Sequence, residues 1–158
     1  MSLRRHLLTV TFAASTLACW SLPAAGQPAD QATAQALEGY FDFVDANAGT
    51  LLAEQIPAAD YPKLHIVDVR DAAQFAKAHV PGAVNLEWRQ VFAMRASLPR
   101  DKTILLYCNT SSLAAQVAMA LRLDGFENVR LLYGGFHGWQ AAGGLEANAR
   151  AIRARSGG

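Results

Sequence analysis

The segment 103–114 constrains the fold of this chain more than any other stretch. It contains an unbroken apolar run, Ile104–Tyr107, and continues through Cys108 into a short polar loop. A run that is apolar on both alternations is typical of a strand buried on both faces of a parallel sheet. We therefore predict that Cys108 stands at the carboxyl end of an inner strand.

The residues after Cys108 predict a helix that begins close to the thiol. Residues 113–121 are alanine-rich and apolar nearly all round, as in helices packed on a sheet. Three hydroxyl side chains are available to cap this helix: Thr110, Ser111 and Ser112. Free N–H groups and the positive helix end stabilise a nearby thiolate, and open α/β sheets bind ligands at this place. A lone cysteine is more often a buried packing residue than a reactive one. The hypothesis that Cys108 is reactive therefore needs support from the rest of the chain.

Apolar segments alternate with helical patterns along the remaining chain. Strands are predicted at 50–52, 65–69 and 129–133 and within 79–86, and helices at 30–46, after residue 70, at 87–96 and after residue 134. Such alternation is typical of an α/β fold, in which a central, mainly parallel sheet is flanked by helices on both faces.

Two of the predicted helices carry specific expectations for their side chains. The helix at 30–46 has apolar residues at helical spacing: Leu37, Tyr40, Phe41 and Val44. We expect its aromatic side chains to contact the core. The helix after residue 70 begins at Asp71, which has capping-box spacing with Gln74, and Phe75 should anchor it on the core.

The first 26 residues have the layout of a secretory signal peptide. Arg4 and Arg5 precede an apolar run over 7–22, and small residues favour cleavage before Gln27. We therefore expect a periplasmic or secreted protein, with lipid attachment at Cys19 as an alternative. After removal of this segment we expect no firm contact with a membrane.

Charge and cysteine content narrow the function classes. The formal net charge is +1, which indicates no nucleic-acid partner. The chain has two cysteines, so loss of Cys19 with the signal peptide leaves Cys108 unable to form an internal disulfide. An unpaired thiol in an oxidising compartment favours sulfur chemistry over packing. The histidines are scattered singly, so we expect neither a metal site nor a cofactor.

Three segments together resemble the rhodanese family of sulfurtransferases. The first is Val-Asp-Val-Arg at 67–70 with the His-Val-Pro-Gly-Ala-Val-Asn run at 79–85, the second is the strand ending at Cys108, and the third is Gly-Gly-Phe-His-Gly-Trp at 134–139. Gln74 stands where the first signature often has glutamate. The resemblance predicts a three-layer rhodanese-like domain at 49–145, after a signal peptide at 1–26 and a helical segment at 27–48. A flexible tail is expected at 146–158.

The resemblance implies that Cys108 is a nucleophile that takes a sulfane sulfur as a persulfide. It would pass that sulfur from a small donor to a thiol or cyanide acceptor. The sequence does not identify a partner protein. The implied active-site loop comprises Asn109, Thr110, Ser111, Ser112 and Leu113. Active members usually carry glycine, arginine and serine where this chain has Ser111, Leu113 and Ala114. We therefore predict weak turnover of thiosulfate and a preference for persulfide or polysulfide donors.

Two arginines and one histidine are further candidates around the loop. Arg70 and Arg89 could lend positive charge to the site, although a structural ion pair is the more common role of an arginine at a strand end. His137 lies in the third segment, but we do not assign it as a base.

Other functions remain open at this point. A non-turnover binding or persulfide-carrier module would also lose the loop arginine, and a redox role would use Cys108 for mixed disulfides. A cysteine-dependent phosphatase is largely excluded, because it needs an arginine six residues after the cysteine, where this chain has Ala114.

Overall fold

The computed structural model of this chain describes residues 30–44 and 49–157. The predicted signal peptide, with Cys19, lies outside the described residues, as does the end of the first predicted helix. Within the described residues, no helix is both long and apolar enough to cross a membrane.

A parallel sheet of five strands forms the centre of the fold. The strands are β1 (Thr50–Leu51), β2 (His65–Asp68), β3 (Val84–Asn85), β4 (Ile104–Tyr107) and β5 (Val129–Leu132). Their order across the sheet is β1-β5-β4-β2-β3, and every neighbouring pair is parallel. The structure therefore confirms the predicted α/β fold and places the strand before Cys108 in the middle of the sheet.

Helices surround this sheet. The α-helices are α1 (Gln31–Phe43), α2 (Ala72–Lys77), α3 (Trp88–Val91), α4 (Ser112–Leu123), α5 (Gly135–Ala142) and α6 (Ala147–Ser156). Short 3-10 helices cover Ala53–Gln55, Ala58–Lys63, Arg95–Ser97 and Gly144–Glu146.

The two faces of β4 belong to two separate core clusters, which gives the fold its three layers. Ile104 and Leu106 pack with residues of α3 and α4, whereas Leu105 and Tyr107 pack with residues of α5 and the start of α6. All four side chains are fully buried. Cys108 continues the alternation on the α4 side, so the strand delivers its thiol to the start of that helix.

The structure corrects two expectations about aromatic side chains. Phe41 is 66% exposed, because α1 meets the domain mainly along α4, where the Arg122 guanidinium lies 3.4 Å from the Tyr40 hydroxyl. Phe75 does not reach the core either. It stacks on His79 with ring centroids 4.1 Å apart, and α2 has no buried residue.

Two predicted segments also differ in length or packing. The helix expected at 87–96 is only the single turn α3, followed by a turn and the 3-10 helix Arg95–Ser97. The tail expected to be flexible contains α6, whose first residue, Ala147, is buried. Asn148 Nδ2 donates a hydrogen bond to Glu54 O at 2.7 Å. This amide contact and the small side chain of Ala147 allow the first turn to pack on the domain.

Candidate active site

Cys108 ends the central strand and faces a cavity. The residue is 2% exposed, and it borders a pocket of about 270 Å³ that we call the Cys108 pocket. The lining residues are Arg70, Asp71, Gln74, Glu87, Trp88, Arg89, Cys108, Asn109, Thr110, Ser112 and Leu113. Most of the predicted site residues thus lie around one cavity, although the thiol itself is nearly enclosed.

The backbone amides of residues 109–114 precede the first hydrogen bond of α4, and four of these residues line the Cys108 pocket: Asn109, Thr110, Ser112 and Leu113. Among the described residues, none of these N–H groups donates to a protein acceptor, and no donor is bonded to the Cys108 sulfur. The first intrahelical bond of α4 runs only from Ala115 N to Ser111 O, at 2.8 Å. A run of unpaired amides at a helix start is suited to binding an anion.

Ser111 corrects the expectation that a hydroxyl caps α4. It stands at the N-cap position in the left-handed region, with φ of 80°, and makes no capping bond. Its Oγ–H instead donates to Leu132 O at 2.7 Å, which fastens the loop to the end of β5. The helix start is therefore left free, and a non-glycine residue is held in a conformation that costs free energy.

A double-glycine turn holds the loop from the opposite side. Phe136 N donates to Cys108 O at 2.7 Å and His137 N donates to Asn109 O at 3.1 Å. Gly135 has φ of +60°, and a Cβ there would clash with Cys108 O and lie 2.7 Å from Asn109 O. The turn can approach the loop this closely only because Gly135 has no side chain.

Gly135→Ala should therefore destabilise the fold by roughly 2 kcal/mol or more, since it adds a backbone clash to an unfavourable φ. Gly82→Ala is the matched control: Gly82 also has positive φ, +81°, but a Cβ added there would meet nothing within 4 Å. Urea denaturation of both variants would measure the difference. Equal losses of unfolding free energy would mean that the close approach to the loop carries no cost.

Arg70 forms a buried ion pair with Asp68 beneath the loop, in line with the structural role that is common for strand-end arginines. Its Nε donates to both carboxylate oxygens at 2.9 and 3.0 Å, and its Nη2 donates to Asp68 Oδ2 at 2.5 Å. The same Nη2 donates to Ala78 O at 2.7 Å. Hydrogen bonding to Asp68 raises the pKa of Arg70, so the guanidinium stays charged. Most of its charge is compensated by Asp68 rather than offered to a ligand.

Aromatic rings enclose the other side of this guanidinium. Its carbon lies 4.3 Å from the centroid of the Phe136 ring and 5.6 Å from that of Tyr107. Burial raises the pKa of the Tyr107 phenol, which accepts a hydrogen bond from Val80 N at 3.0 Å. The phenol therefore remains neutral beside Arg70.

Gln74 takes a role that its capping-box spacing did not predict. Asp71 caps α2 by accepting from Gln74 N at 2.8 Å, but the Gln74 amide donates to the Asp71 carboxylate, at 2.7 Å, instead of accepting from its backbone. Gln74 Oε1 accepts from Asn109 Nδ2 at 2.8 Å. We call this contact the Gln74–Asn109 bridge. It ties the loop to α2, and Arg70 Nη1 lies 3.4 Å from Asn109 Oδ1 below it.

Another arginine that lines the Cys108 pocket is engaged in an ion pair. Arg89 pairs with Glu87 at 2.7 Å and stacks over the Trp88 ring at 4.4 Å. Arg89 is thus a wall residue rather than a free cation. Asp71 is the remaining charged group of the pocket and makes no ion pair within the described residues. When the Asp68 carboxylate that pairs with Arg70 is included, the charged side chains around the thiol carry one net negative charge. Trp88 and Leu113 add apolar surface to the wall.

Within the described residues, this arrangement brings main-chain amides without protein acceptors and the Asp71 carboxylate to the same pocket. A thiolate, or the outer sulfur of a persulfide, would be stabilised by the dipoles of the 109–114 amides. A doubly charged donor would meet the Asp71 carboxylate without a compensating cation. His137 is exposed and borders a neighbouring cavity instead of this one.

Comparison with known proteins gives a matching family model, curated relatives and solved structures. A family model described as the rhodanese-like domain matches residues 51–142. Thiosulfate sulfurtransferase GlpE of Vibrio cholerae is 30% identical over 103 residues, which cover 65% of this chain and 92% of GlpE. The uncharacterized protein YqhL of Bacillus subtilis is 33% identical over 88 residues, 56% of this chain and 70% of its own. A solved rhodanese-like domain from Anabaena is 28% identical with a TM-score of 0.54, covering 60% of this chain and 75% of that one.

Proposed function

The chain belongs to the rhodanese-like domain family, and on that premise we propose that it is a sulfurtransferase whose Cys108 carries a sulfane sulfur between a small donor and a thiol or cyanide acceptor. The observation that supports this most is the position of Cys108 at the end of β4, bordering a pocket beside the unpaired amides of residues 109–114. These amides provide positive dipoles where the extra sulfur would carry negative charge.

The reaction proceeds by two displacements on sulfur. The Cys108 thiolate attacks the outer sulfur of an organic persulfide, R–S–SH. A new S–S bond forms, the donor's S–S bond breaks, and the thiolate RS⁻ leaves with the electron pair and takes up the proton. An acceptor such as cyanide then attacks the outer sulfur of the Cys108 persulfide, which releases thiocyanate and restores the Cys108 thiolate. The sulfur moves without net oxidation of the protein.

The charge of the Cys108 pocket favours an organic persulfide or polysulfide over thiosulfate. Asp71 adds negative charge, Arg70 and Arg89 are paired, and Leu113 stands where the resemblance expects arginine. One charge pair at about 4 Å and an effective dielectric near 20 amounts to roughly 4 kcal/mol before desolvation. Even a third of that changes the binding of a dianion by about tenfold.

Leu113→Arg should raise kcat/KM for thiosulfate about tenfold or more, because it places a cation on the wall of the Cys108 pocket. Its aliphatic stem can keep much of the leucine packing. Leu123→Arg is the matched control, because Leu123 is an exposed residue at the far end of the same helix. Thiocyanate release from thiosulfate and cyanide would measure both variants. Equal effects of the two arginines, or no effect of either, would contradict the proposed preference for persulfide donors over thiosulfate.

Transfer of labile sulfur tests the proposed function directly. We expect protein incubated with an organic persulfide, and then freed from it, to release thiocyanate when cyanide is added. A binding module is the second candidate, because the loop lacks a cation and the thiol is nearly enclosed. No thiocyanate from several sulfane donors would support the module and contradict the enzyme.

We also propose that the protein works after export, on the strength of the basic and apolar residues at 1–22. Recovery of a chain that starts at Gln27 from the periplasm would support this location. A lipid-modified chain starting at Cys19 would instead support the lipoprotein alternative, and an uncleaved cytoplasmic chain would contradict both.

A further inference from the structure

A second cavity adjoins the Cys108 pocket on the other side of the Gln74–Asn109 bridge. It has a volume of about 360 Å³, and we call it the Lys77 cavity. Its lining residues are Arg70, Gln74, Lys77, Ala78, Asn109, Phe136, His137 and Gln140. Arg70, Gln74 and Asn109 line both cavities, so the bridge is their common wall.

The two cavities differ in charge. The Cys108 pocket contains the carboxylate of Asp71, whereas no lining residue of the Lys77 cavity is acidic. Lys77, at the last position of α2, makes no ion pair within residues 30–44 and 49–157. The amide of Gln140 and the ring of His137 add hydrogen-bonding groups. A ligand's negative charge is therefore favoured behind the bridge and disfavoured beside the sulfur.

The walls of the Lys77 cavity are fixed by the same contacts that fix the loop. His137 N donates to Asn109 O at 3.1 Å, and Phe136, which is 5% exposed, forms an apolar part of the wall. Ala78 O is held by Arg70 Nη2 at 2.7 Å. Lys77 is thus attached to a segment that the buried Arg70 connects to the active-site loop.

We propose that the Lys77 cavity is a subsite for the carboxylate of a low-molecular-weight thiol whose sulfur reacts at Cys108. The inference rests on the proposed sulfurtransferase function. The proposed ligand is a thiol compound that carries its carboxylate a few bonds from sulfur, so that its charged end lies across the Gln74–Asn109 bridge while its sulfur reacts at Cys108. The same subsite serves a persulfide donor and the thiol acceptor derived from it, because both share the carboxylate-bearing group.

Two persulfides that differ only in this charge test the subsite. They are the persulfide of N-acetylcysteine, which has one carboxylate, and that of N-acetylcysteine amide, which has none. We expect the wild type to have a lower KM for the carboxylate probe, with similar kcat for both. Added salt should reduce this advantage, because the subsite is solvent-accessible.

Lys77→Gln should raise KM for the carboxylate probe up to about fivefold, as for an exposed charge pair, with little change for the amide probe. Lys77→Arg should preserve the low KM. Lys102→Gln is the control, because this substitution also removes one positive charge. Lys102 precedes β4, at the end of the sheet opposite Cys108.

Three results obtained with the lysine variants would overturn the subsite. Lys77→Gln could leave the KM of the carboxylate probe unchanged, it could change both probes equally, or Lys102→Gln could produce the same change. If the wild type takes sulfur from neither probe, the sulfurtransferase proposal fails and the subsite fails with it. Transfer from both probes without discrimination contradicts the subsite alone.

Discussion

Replacing Cys108 by serine should reduce sulfur transfer to the level of the reaction without protein. A serine hydroxyl cannot form a stable persulfide, and Cys108 is the only cysteine in the part of the chain that the structure describes. The wild type should release thiocyanate after loading with an organic persulfide, whereas Cys108→Ser should release none. Thiocyanate formation, with and without the donor, measures the loss.

The fold of this variant should survive, so the loss can be assigned to chemistry. Cys108 packs with the cluster on the α4 side of the sheet, and serine is close to it in size. Placing a hydroxyl there should cost roughly 1–3 kcal/mol of unfolding free energy. Cys108→Ala avoids the polar group and should lose the same activity. Donor-dependent thiocyanate from either folded variant would show that another group carries the sulfur.

Arg70→Met should have the largest effect on stability, a loss of roughly 3–5 kcal/mol, because it leaves a buried carboxylate without its partner. Asp68 is 0% exposed and Arg70 is 6% exposed. Methionine keeps much of the side-chain volume but removes the hydrogen bonds to Asp68 and to Ala78 O. Urea denaturation gives the free energy of unfolding. A loss below about 1 kcal/mol, the range of an exposed pair, would contradict this account of the pair.

A double variant separates the unpaired charge from the lost packing. In the wild type, the backbone N–H of Arg70 donates to Asp68 Oδ1 at 3.0 Å. Asp68→Asn combined with Arg70→Met removes both charges, and the asparagine oxygen can still accept this hydrogen bond. The double variant should therefore be more stable than Arg70→Met alone. Arg89→Met is the control, since Arg89 is an exposed arginine paired with Glu87 and should cost at most about 1 kcal/mol.

The central strands were predictable from sequence because their burial is continuous. The inner strands are β2 (His65–Asp68) and β4 (Ile104–Tyr107), and most of their side chains are buried on both faces. Their apolar runs can therefore be recognised without knowing which strands lie beside them. The helix after residue 134 was also predictable, and α5 begins at Gly135 within a turn formed by Gly134 and Gly135. The structure adds that this turn bonds to the backbone of Cys108 and Asn109.

The details that the sequence did not predict depend on distant partners. The hydroxyl of Ser111 bonds to the end of β5, and Gln74 is drawn to Asn109 rather than to its own helix start. Local spacing indicates which groups are available but cannot tell which distant acceptor competes for them. Phe41 likewise matched a helical apolar face, although α1 covers too little of the domain to bury it.

The mass of the intact protein after exposure to an organic persulfide shows whether Cys108 takes up a sulfur atom. We expect a gain of one sulfur atom, located by fragmentation on the peptide that contains Cys108 and removed by cyanide. An unchanged mass, or a sulfur that remains on the Cys108→Ser variant, would contradict transfer through Cys108.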